Sequence, residues 1–407
     1  MQKIDSENSK KLMLLGAAAY FTSYLTRINF GAVIAAIIQS GDIDKATAGA
    51  VTTIGFITYG LGQLVSGWLG DRVNPKFLMF FGFIVTAGMN ILIPLCPNSS
   101  FMIPVWGING FAQSFMWPPM IKIMKTALDD RGYVKSCVVI SWGSTIGTIC
   151  IYLISPLIIR QLSWKAVFSI NGCVAIVMSA VWMLIMTKIE KSADIKYLLI
   201  KGKQPKKERT RLSVDLKLLI PVMIAIMAQG SLRDGVTTWV PSYITEVFHF
   251  DSSISILTSV IIPLFSLASI QLTSVFYNKT GQKPYKSSVI LFTASAFCCL
   301  ILRIFSNASP ILTVVLSALT VACMHGINLI LVCFLPGLIA GEEHVSLLSG
   351  LLNFTTYVGS AVSTYGFAVL SDKSGWSGTV ICWAVVSFVG VLMCIISSKF
   401  SIKIKKS

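Results

Sequence analysis

Residues 77–95, FLMFFGFIVTAGMNILIPL, run without a single charged side chain. A helix of about 20 such residues spans the hydrocarbon core of a bilayer. Comparable stretches recur along the chain at 12–39, 47–68, 77–96, 101–122, 136–159, 164–187, 216–245, 252–276, 287–305, 309–338, 345–370 and 377–398. A chain of 407 residues with twelve such segments keeps little length for a separate soluble domain. Only 12% of its residues are charged, against about 25% in ordinary soluble domains, so a soluble globular fold is excluded. The runs are continuous rather than alternating, which excludes a transmembrane β-barrel. The expected fold class is an all-α membrane protein with twelve transmembrane helices in two pseudo-symmetric six-helix halves.

The net charge of +16 invites a nucleic-acid reading, but the placement of the basic residues argues against one. With the N-terminus inside, 26 of the 33 Lys and Arg fall on the cytoplasmic side. Lys45, Arg160, Lys165, Arg303 and Lys373 face outward, and Arg27 and Arg233 lie within spans. Positive charge held on the cytoplasmic side sets orientation, so both termini are expected to be cytoplasmic, in a multi-pass protein of the cell (inner) membrane. The polar N-terminus MQKIDSENSKK leads into an apolar segment longer than a signal-peptide core and reads as retained. The ten cysteines lie in or beside apolar stretches with no CxxC pair, the usage of small packing residues rather than of disulfides or a metal site.

Residues 188–215 form the one long polar stretch. They divide the chain into an N-terminal half, 1–187, a cytoplasmic linker, and a C-terminal half, 216–407. Three matches at nearly constant offset suggest an internal duplication. Arg27 pairs with Arg233, Asp71-Arg72 with Asn278-Lys279 closed by Gly281, and Ser163-Trp164 with Gly375-Trp376. Parallel repeats of this kind place a central cavity between the halves.

The loop GWLGDRVNPK, 67–76, carries the signature found between helices 2 and 3 of the major facilitator superfamily. Its glycines permit close helix approach, and Asp71 can pair with a base or cap a neighbouring helix N-terminus. Asp71 and Arg72 are therefore candidate gating residues. The stretches NGFAQSFMWPPMIKIMK (109–125), DDRG (129–132), YLTRINF (24–30), LRDGVTTWVPSYI (232–244) and YVGSAVSTYGFAVLSDKSGW (357–376) narrow the match. Over nearly its whole length the chain resembles the organophosphate:phosphate antiporter family of that superfamily.

The resemblance implies that Arg27 and Arg233 bind the anionic moiety of a substrate. The chemistry agrees, since a charged side chain at mid-membrane costs at least about 2.5–3.5 kcal/mol and a guanidinium fork matches phosphate or carboxylate oxygens bidentately. Local pairing offers an alternative: Asp234 reads as the only acid within a span and could neutralise Arg233. The sequence departs from the family at two places. Gln63, in YGLGQ, stands where the family has a lysine, and Ser144, in SWGST, stands where it has a histidine. A less positive site favours a monoanion over a dianionic phosphate ester. Lys122 and Lys125 read as snorkelling side chains at the end of their helix.

His325 is the one histidine well inside a span and either titrates in coupling or packs through a hydrogen bond, with Asn328 one turn on as partner or substrate contact. Tyr20, Tyr24, Tyr59, Gln63, Trp117, Trp142 and Trp239 supply candidate aromatic and polar walls. No P-loop, nucleophile elbow or HExxH motif occurs, so neither an enzyme nor an ATP-driven pump is expected, and no cofactor. The expected function is secondary active transport of a small organic anion, a phosphate ester being one candidate, by alternating access with anion exchange. The expected protein is a monomer in the lipid bilayer. Inorganic phosphate or a proton is the expected coupling species. Proton-coupled symport of a carboxylate or sugar acid and a transporter-like membrane sensor are the rival readings.

Overall fold

The computed structural model describes residues 4–193, 215–249, 252–305 and 309–404. Its helices are α1 (Ser6–Gln39), α2 (Lys45–Gly70), α3 (Pro75–Leu92), α4 (Ser99–Gln113), α5 (Trp117–Ala127), α6 (Asp130–Gln161), α7 (Trp164–Ala193), α8 (Leu216–Phe248), α9 (Ser252–Lys279), α10 (Pro284–Ile304), α11 (Pro310–Asn328), α12 (Leu335–Ile339) and α13 (Val345–Ile404). Among the described residues, eight helices are long and apolar enough to cross a membrane. One of them, α13, is two spans meeting at Gly375, whose φ of 65° and ψ of 179° no helix accommodates. With α1, the broken pair α4–α5 and α9, the spans number twelve, in the expected order.

Local chemistry explains the ends and breaks. Asp44, Asn74, Asn98, Asp129 and Ser309 each cap a helix N-terminus through the side chain, satisfying amides with no intrahelical partner. In DRVNPK, Asn74 accepts from the Lys76 amide at 2.9 Å and Pro75 opens the helix, where its missing N–H costs nothing. The fourth span breaks at Ser114–Met116 because Pro118 and Pro119 cannot continue α4 and instead start α5. In the tenth span a π-helical turn, Leu329–Phe334, stands just before Pro336. The missing proline N–H and the ring's clash with the preceding turn favour such a local widening.

By internal packing the chain forms two units, Met1–Leu212 with Ala340–Leu351 and Ser213–Ile339 with Leu352–Ser407. Residues 340–351, in the C-terminal half by sequence, thus belong with the first unit. Of the expected linker, 188–193 continue α7, and 194–214 lie outside the described residues. The helical extension has a cause: Glu190 is buried and forms an ion pair with Lys76 of α3, while Trp182 Nε1 donates to the Lys76 carbonyl at 3.1 Å. Glu190 and Glu246 both sit in helices, beyond the ends of the spans 164–187 and 216–245.

The two units repeat each other in detail. In the first, Trp164 at the start of α7 donates its indole N–H to Asp42 beyond the end of α1, at 2.8 Å. In the second, Trp376 donates to Glu246 near the end of α8, at 2.7 Å. Hydrogen bonds from Ser40 and Trp164 hold the Asp42 carboxyl below the usual carboxylate range. Around Trp164, a ring cluster of Phe30, Trp106 and Phe168 fills one end of the first unit.

Glycine contacts repeat as well. A Cβ at Gly143 of α6 would overlap the Ala17 carbonyl of α1, and one at Gly359 of α13 would overlap the Met227 carbonyl of α8. At both crossings the backbones touch, which is how membrane helices associate without a hydrophobic drive between them. Gly31 of α1 and Gly366 of α13 have no atom within 4 Å of such a Cβ. Gly143→Leu and Gly359→Leu should each lower the thermal midpoint of the detergent-purified protein by several degrees or prevent its recovery as a single species, whereas Gly31→Leu and Gly366→Leu should leave it close to wild type. Equal melting of all four would show that these crossings do not set the packing.

Candidate functional site

Residues 20, 24 and 27 follow one stripe of α1, at the three- and four-residue spacing that aligns side chains on a helix face. The Tyr20 and Tyr24 rings meet at a tilt of 55° with 5.3 Å between centroids, and Tyr20 meets Trp117 of α5 at 5.1 Å. The Arg27 guanidinium lies over the Tyr24 ring at 4.1 Å and over the Tyr59 ring of α2 at 4.5 Å. Aromatic faces hold a cation by their quadrupole and leave the edge of the guanidinium plane, where its N–H donors lie, directed elsewhere.

Gln63 is one turn beyond Tyr59 on the same face of α2 and is fully buried, and among the described residues nothing hydrogen-bonds its Oε1 or Nε2. A buried polar group left so costs about 1–3 kcal/mol. The structure thus brings Arg27, Tyr24, Tyr59 and Gln63 to neighbouring positions within the first unit.

The other stripe of α1 fastens it. Ser23 donates to Gln113 Oε1 at 2.6 Å, and Gln113 Nε2 donates to Thr26 Oγ1 at 2.7 Å. The Thr26 carbonyl accepts from Asn90 of α3 at 3.1 Å and from Asn109 of α4 at 3.2 Å, while Asn29 donates to Asn90 at 2.7 Å. Interhelical hydrogen bonds in membrane proteins average about 0.6 kcal/mol each, so the set contributes a few kcal/mol and fixes the rotation of α1 at the residue before Arg27. None of these groups is among the residues that the sequence singled out. Their signal was present as Asn90 and Asn109 inside otherwise apolar runs.

Arg233 occupies different surroundings in the second unit. Its Nε donates to Asp234 Oδ1 at 2.6 Å and its Nη2 to Asp234 Oδ2 at 2.7 Å, a bidentate pair. Ser360 of α13 donates to the same Oδ2, and the Tyr357 ring centroid is 5.9 Å from the guanidinium carbon. The local carboxylate that the sequence allowed as an alternative partner therefore holds Arg233. His325 of α11 is close enough to feel the charges of both Arg233 and Asp234. Asn328 ends α11 where the π turn begins. Gln229, one turn before Arg233 on α8, is fully buried with neither amide atom hydrogen-bonded among the described residues, a residue the sequence analysis did not single out.

The remaining candidates serve the scaffold in this structure. Trp239 Nε1 donates to the Thr364 carbonyl at 3.0 Å, and Ser144 donates to the Ser141 carbonyl of its own helix at 2.8 Å. Trp142 Nε1 is buried without a hydrogen-bond partner among the described residues.

Asp71 ends α2 and caps the N-terminus of α13, accepting from Ser346 N at 3.2 Å and Leu347 N at 2.7 Å. Gly67 and Gly70 make room, since a Cβ on either would meet Ser346. Burial pushes the Asp71 carboxyl above the usual range, opposed by Lys122 and the two amides. Lys122 does not snorkel as expected. It is buried, paired with Asp71 at 3.1 Å and hydrogen-bonded to the Glu342 carbonyl, because a capping carboxylate taken out of water needs a countercharge. Lys125 is likewise occupied, by Asp130 at 2.7 Å. Arg72 is exposed, its guanidinium over the Trp68 ring at 4.1 Å.

Comparison with known proteins identifies the family. Residues 16–364 match the family model of the Major Facilitator Superfamily. A probable hexose phosphate transport protein of Chlamydia trachomatis is 32% identical over 168 residues, 41% of this chain and 36% of that protein, so the match spans about a third of the relative's length. The glycerol-3-phosphate transporter of Bacillus subtilis is 23% identical over 392 residues, covering 91% of this chain and 87% of that one. The membrane sensor protein UhpC of Escherichia coli is 28% identical over 162 residues, covering 39% of this chain and 36% of its own. These relatives bear out the resemblance to the organophosphate:phosphate antiporter family. Among solved structures, a bacterial homologue of the iron transporter ferroportin superposes with a TM-score of 0.75 at 13% identity, covering 96% of this chain and 99% of that one. The proton:xylose symporter XylE superposes with a TM-score of 0.69 at 16% identity, covering 97% and 95%. With a family model matched over most of its length and twelve spans in the superfamily's order, the chain belongs to the major facilitator superfamily.

Proposed function

We propose that this protein is a secondary active transporter that moves a small organic anion, of the phosphate-ester class or a monoanionic relative, by alternating access and exchanges it for another anion such as inorganic phosphate. The observation that carries the reading is Arg27, a guanidinium held on two tyrosine faces, with a buried glutamine one turn from Tyr59 whose amide atoms have no hydrogen-bond partner among the described residues. Such a site suits a ligand that brings oxygen acceptors. The names of the hexose phosphate and glycerol-3-phosphate relatives support the substrate class. In this reading Arg27 and Arg233 contact the anion, Tyr24, Tyr59, Gln63, His325 and Asn328 shape its surroundings, and Asp71 with Arg72 takes part in gating as the six-helix halves rock. The protein works as a monomer in the inner membrane with both termini cytoplasmic.

Two rival readings have an observation behind them. The Arg233–Asp234 pair favours proton-coupled uptake, and the match to a membrane sensor favours ligand binding without transport. Counterflow in proteoliposomes, using inorganic phosphate, glycerol 3-phosphate, glucose 6-phosphate and small carboxylates, separates a carrier from a sensor, and uptake driven by an imposed pH gradient without a trans anion separates proton symport from exchange. Exchange of at least one anion is expected, and binding without any exchange would mark a sensor.

Arg27→Lys and Arg233→Lys keep the charge but lose the fork, so each should reduce exchange about tenfold or more with insertion unchanged. Normal uptake in both variants would remove the anion-clamp reading. Gln63→Lys adds a cation, and a unit charge about 6 Å from a bound anion is worth about 3 kcal/mol at an effective dielectric of about 20. Competition assays at fixed ionic strength should then show preference moving toward dianionic esters. An unchanged ranking would place Gln63 away from the substrate.

A further inference from the structure

We propose that Asp234 is a proton-binding site that makes Arg233 available to the anion only when the carboxylate is protonated, so that each anion bound there takes up one proton. The inference rests on Arg233 being an anion ligand, as proposed above. Both teeth of the Arg233 fork, Nε and Nη2, are spent on the two oxygens of Asp234. Asp234 thus occupies the side-on edge of the guanidinium and also neutralises its charge, and both are what a bidentate phosphate or carboxylate ligand draws on. Asp234 and a substrate anion therefore compete for the side-on edge of Arg233 and for its positive charge, and a proton on Asp234 decides the competition.

The surroundings can hold the neutral form. Ser360 Oγ donates to Asp234 Oδ2 and also lies 3.0 Å from the Thr356 carbonyl. When a proton joins the carboxylate, the Ser360 hydroxyl hydrogen turns to the Thr356 carbonyl and its oxygen accepts the new carboxyl O–H. The two Arg233 N–H groups pass to the anion's oxygens, and no covalent bond besides the new O–H forms or breaks. Asp234 keeps 35% of its side chain exposed while Arg233 keeps 14%, so the carboxylate is the more open of the two to protons from solvent.

Charge is conserved through the exchange. Arg233 with ionised Asp234 sums to zero, and so does Arg233 with protonated Asp234 and a monoanion. The cluster thus carries no uncompensated charge in either condition, which in an apolar span would cost several kcal/mol. Proton binding and anion binding together therefore leave the charge of this pair unchanged, so proton uptake accompanies anion binding. The ionisable groups facing the pair are His325 of α11 and Tyr357 of α13. His325 is the rival proton acceptor, and the experiment must tell them apart.

The test measures proton uptake by purified full-length protein with a pH-sensitive dye in weak buffer as inorganic phosphate binds. Wild type, Asp234→Asn and His325→Gln are compared at equal occupancy, and the comparison cancels phosphate's own titration. Wild type and His325→Gln should take up one proton more per bound phosphate than Asp234→Asn. In wild type, phosphate affinity should fall up to tenfold per pH unit on the alkaline side relative to the variant, whose affinity follows only the ionisation of phosphate. Equal proton counts in all three proteins would overturn the proposal, and so would loss of the extra proton in His325→Gln alone. If Asp234→Asn fails to fold, wild type decides: its phosphate affinity, corrected for free phosphate's titration, must still fall with rising pH, and a flat profile overturns the proposal. Failure of phosphate and of the organic anions above to bind any of the proteins would instead overturn the anion reading itself, and this inference with it.

Discussion

A charge inside an apolar span must be held by something, and the positions of this protein's buried charges follow from how each one is held. Lys76 is paired with Glu190, Lys122 with Asp71, and Arg233 with Asp234, while Arg27 lies over two tyrosine rings. Removing one member of a buried pair strands the other, at a typical cost of about 3–5 kcal/mol, so the first two pairs act as fixed joints. Lys76–Glu190 ties α3 to α7, and Lys122–Asp71 ties α5 to the cap of α13. Arg27 and Arg233 differ from these in being held by groups that a ligand can share or displace.

The frame around them depends on backbone contact more than on side-chain bulk. Gly143 against Ala17 and Gly359 against Met227 bring α1 to α6 and α8 to α13 with carbonyls at the contact. The Trp164–Asp42 and Trp376–Glu246 hydrogen bonds secure the ends of α1 and α8 in the two units. The two units share the features that set helix distance and helix ends, because in lipid these replace the hydrophobic effect as the source of packing.

The two halves have not kept the same electrostatics at their equivalent arginines. In the first unit, Arg27 sits beside the Thr26 network that sets the rotation of α1. In the second, the neighbour in sequence, Asp234, takes up the fork of Arg233. One arginine is held by ring faces and the other is paired with a carboxylate, and in the function proposed above this difference is the physical basis for linking anion and proton.

Twelve spans, their order and the family were legible in the sequence, because hydrophobic length and turn chemistry are local properties. So was the capping role open to Asp71. What the sequence left open were choices between partners distant along the chain or equally near. Lys122 had an apolar stem and a helix end, which suggests snorkelling, but Asp71, 51 residues earlier, lies within reach and is buried. Glu190 looked like linker until Lys76, 114 residues away, was brought beside it. Asn29, Asn90 and Asn109 are separate polar interruptions in one dimension and one network in three. The sequence by itself determined where charge is scarce and where helices begin and end. Tertiary structure alone decided which charges meet, because hydrogen bonds and ion pairs act over a few ångströms between side chains that the chain order keeps far apart.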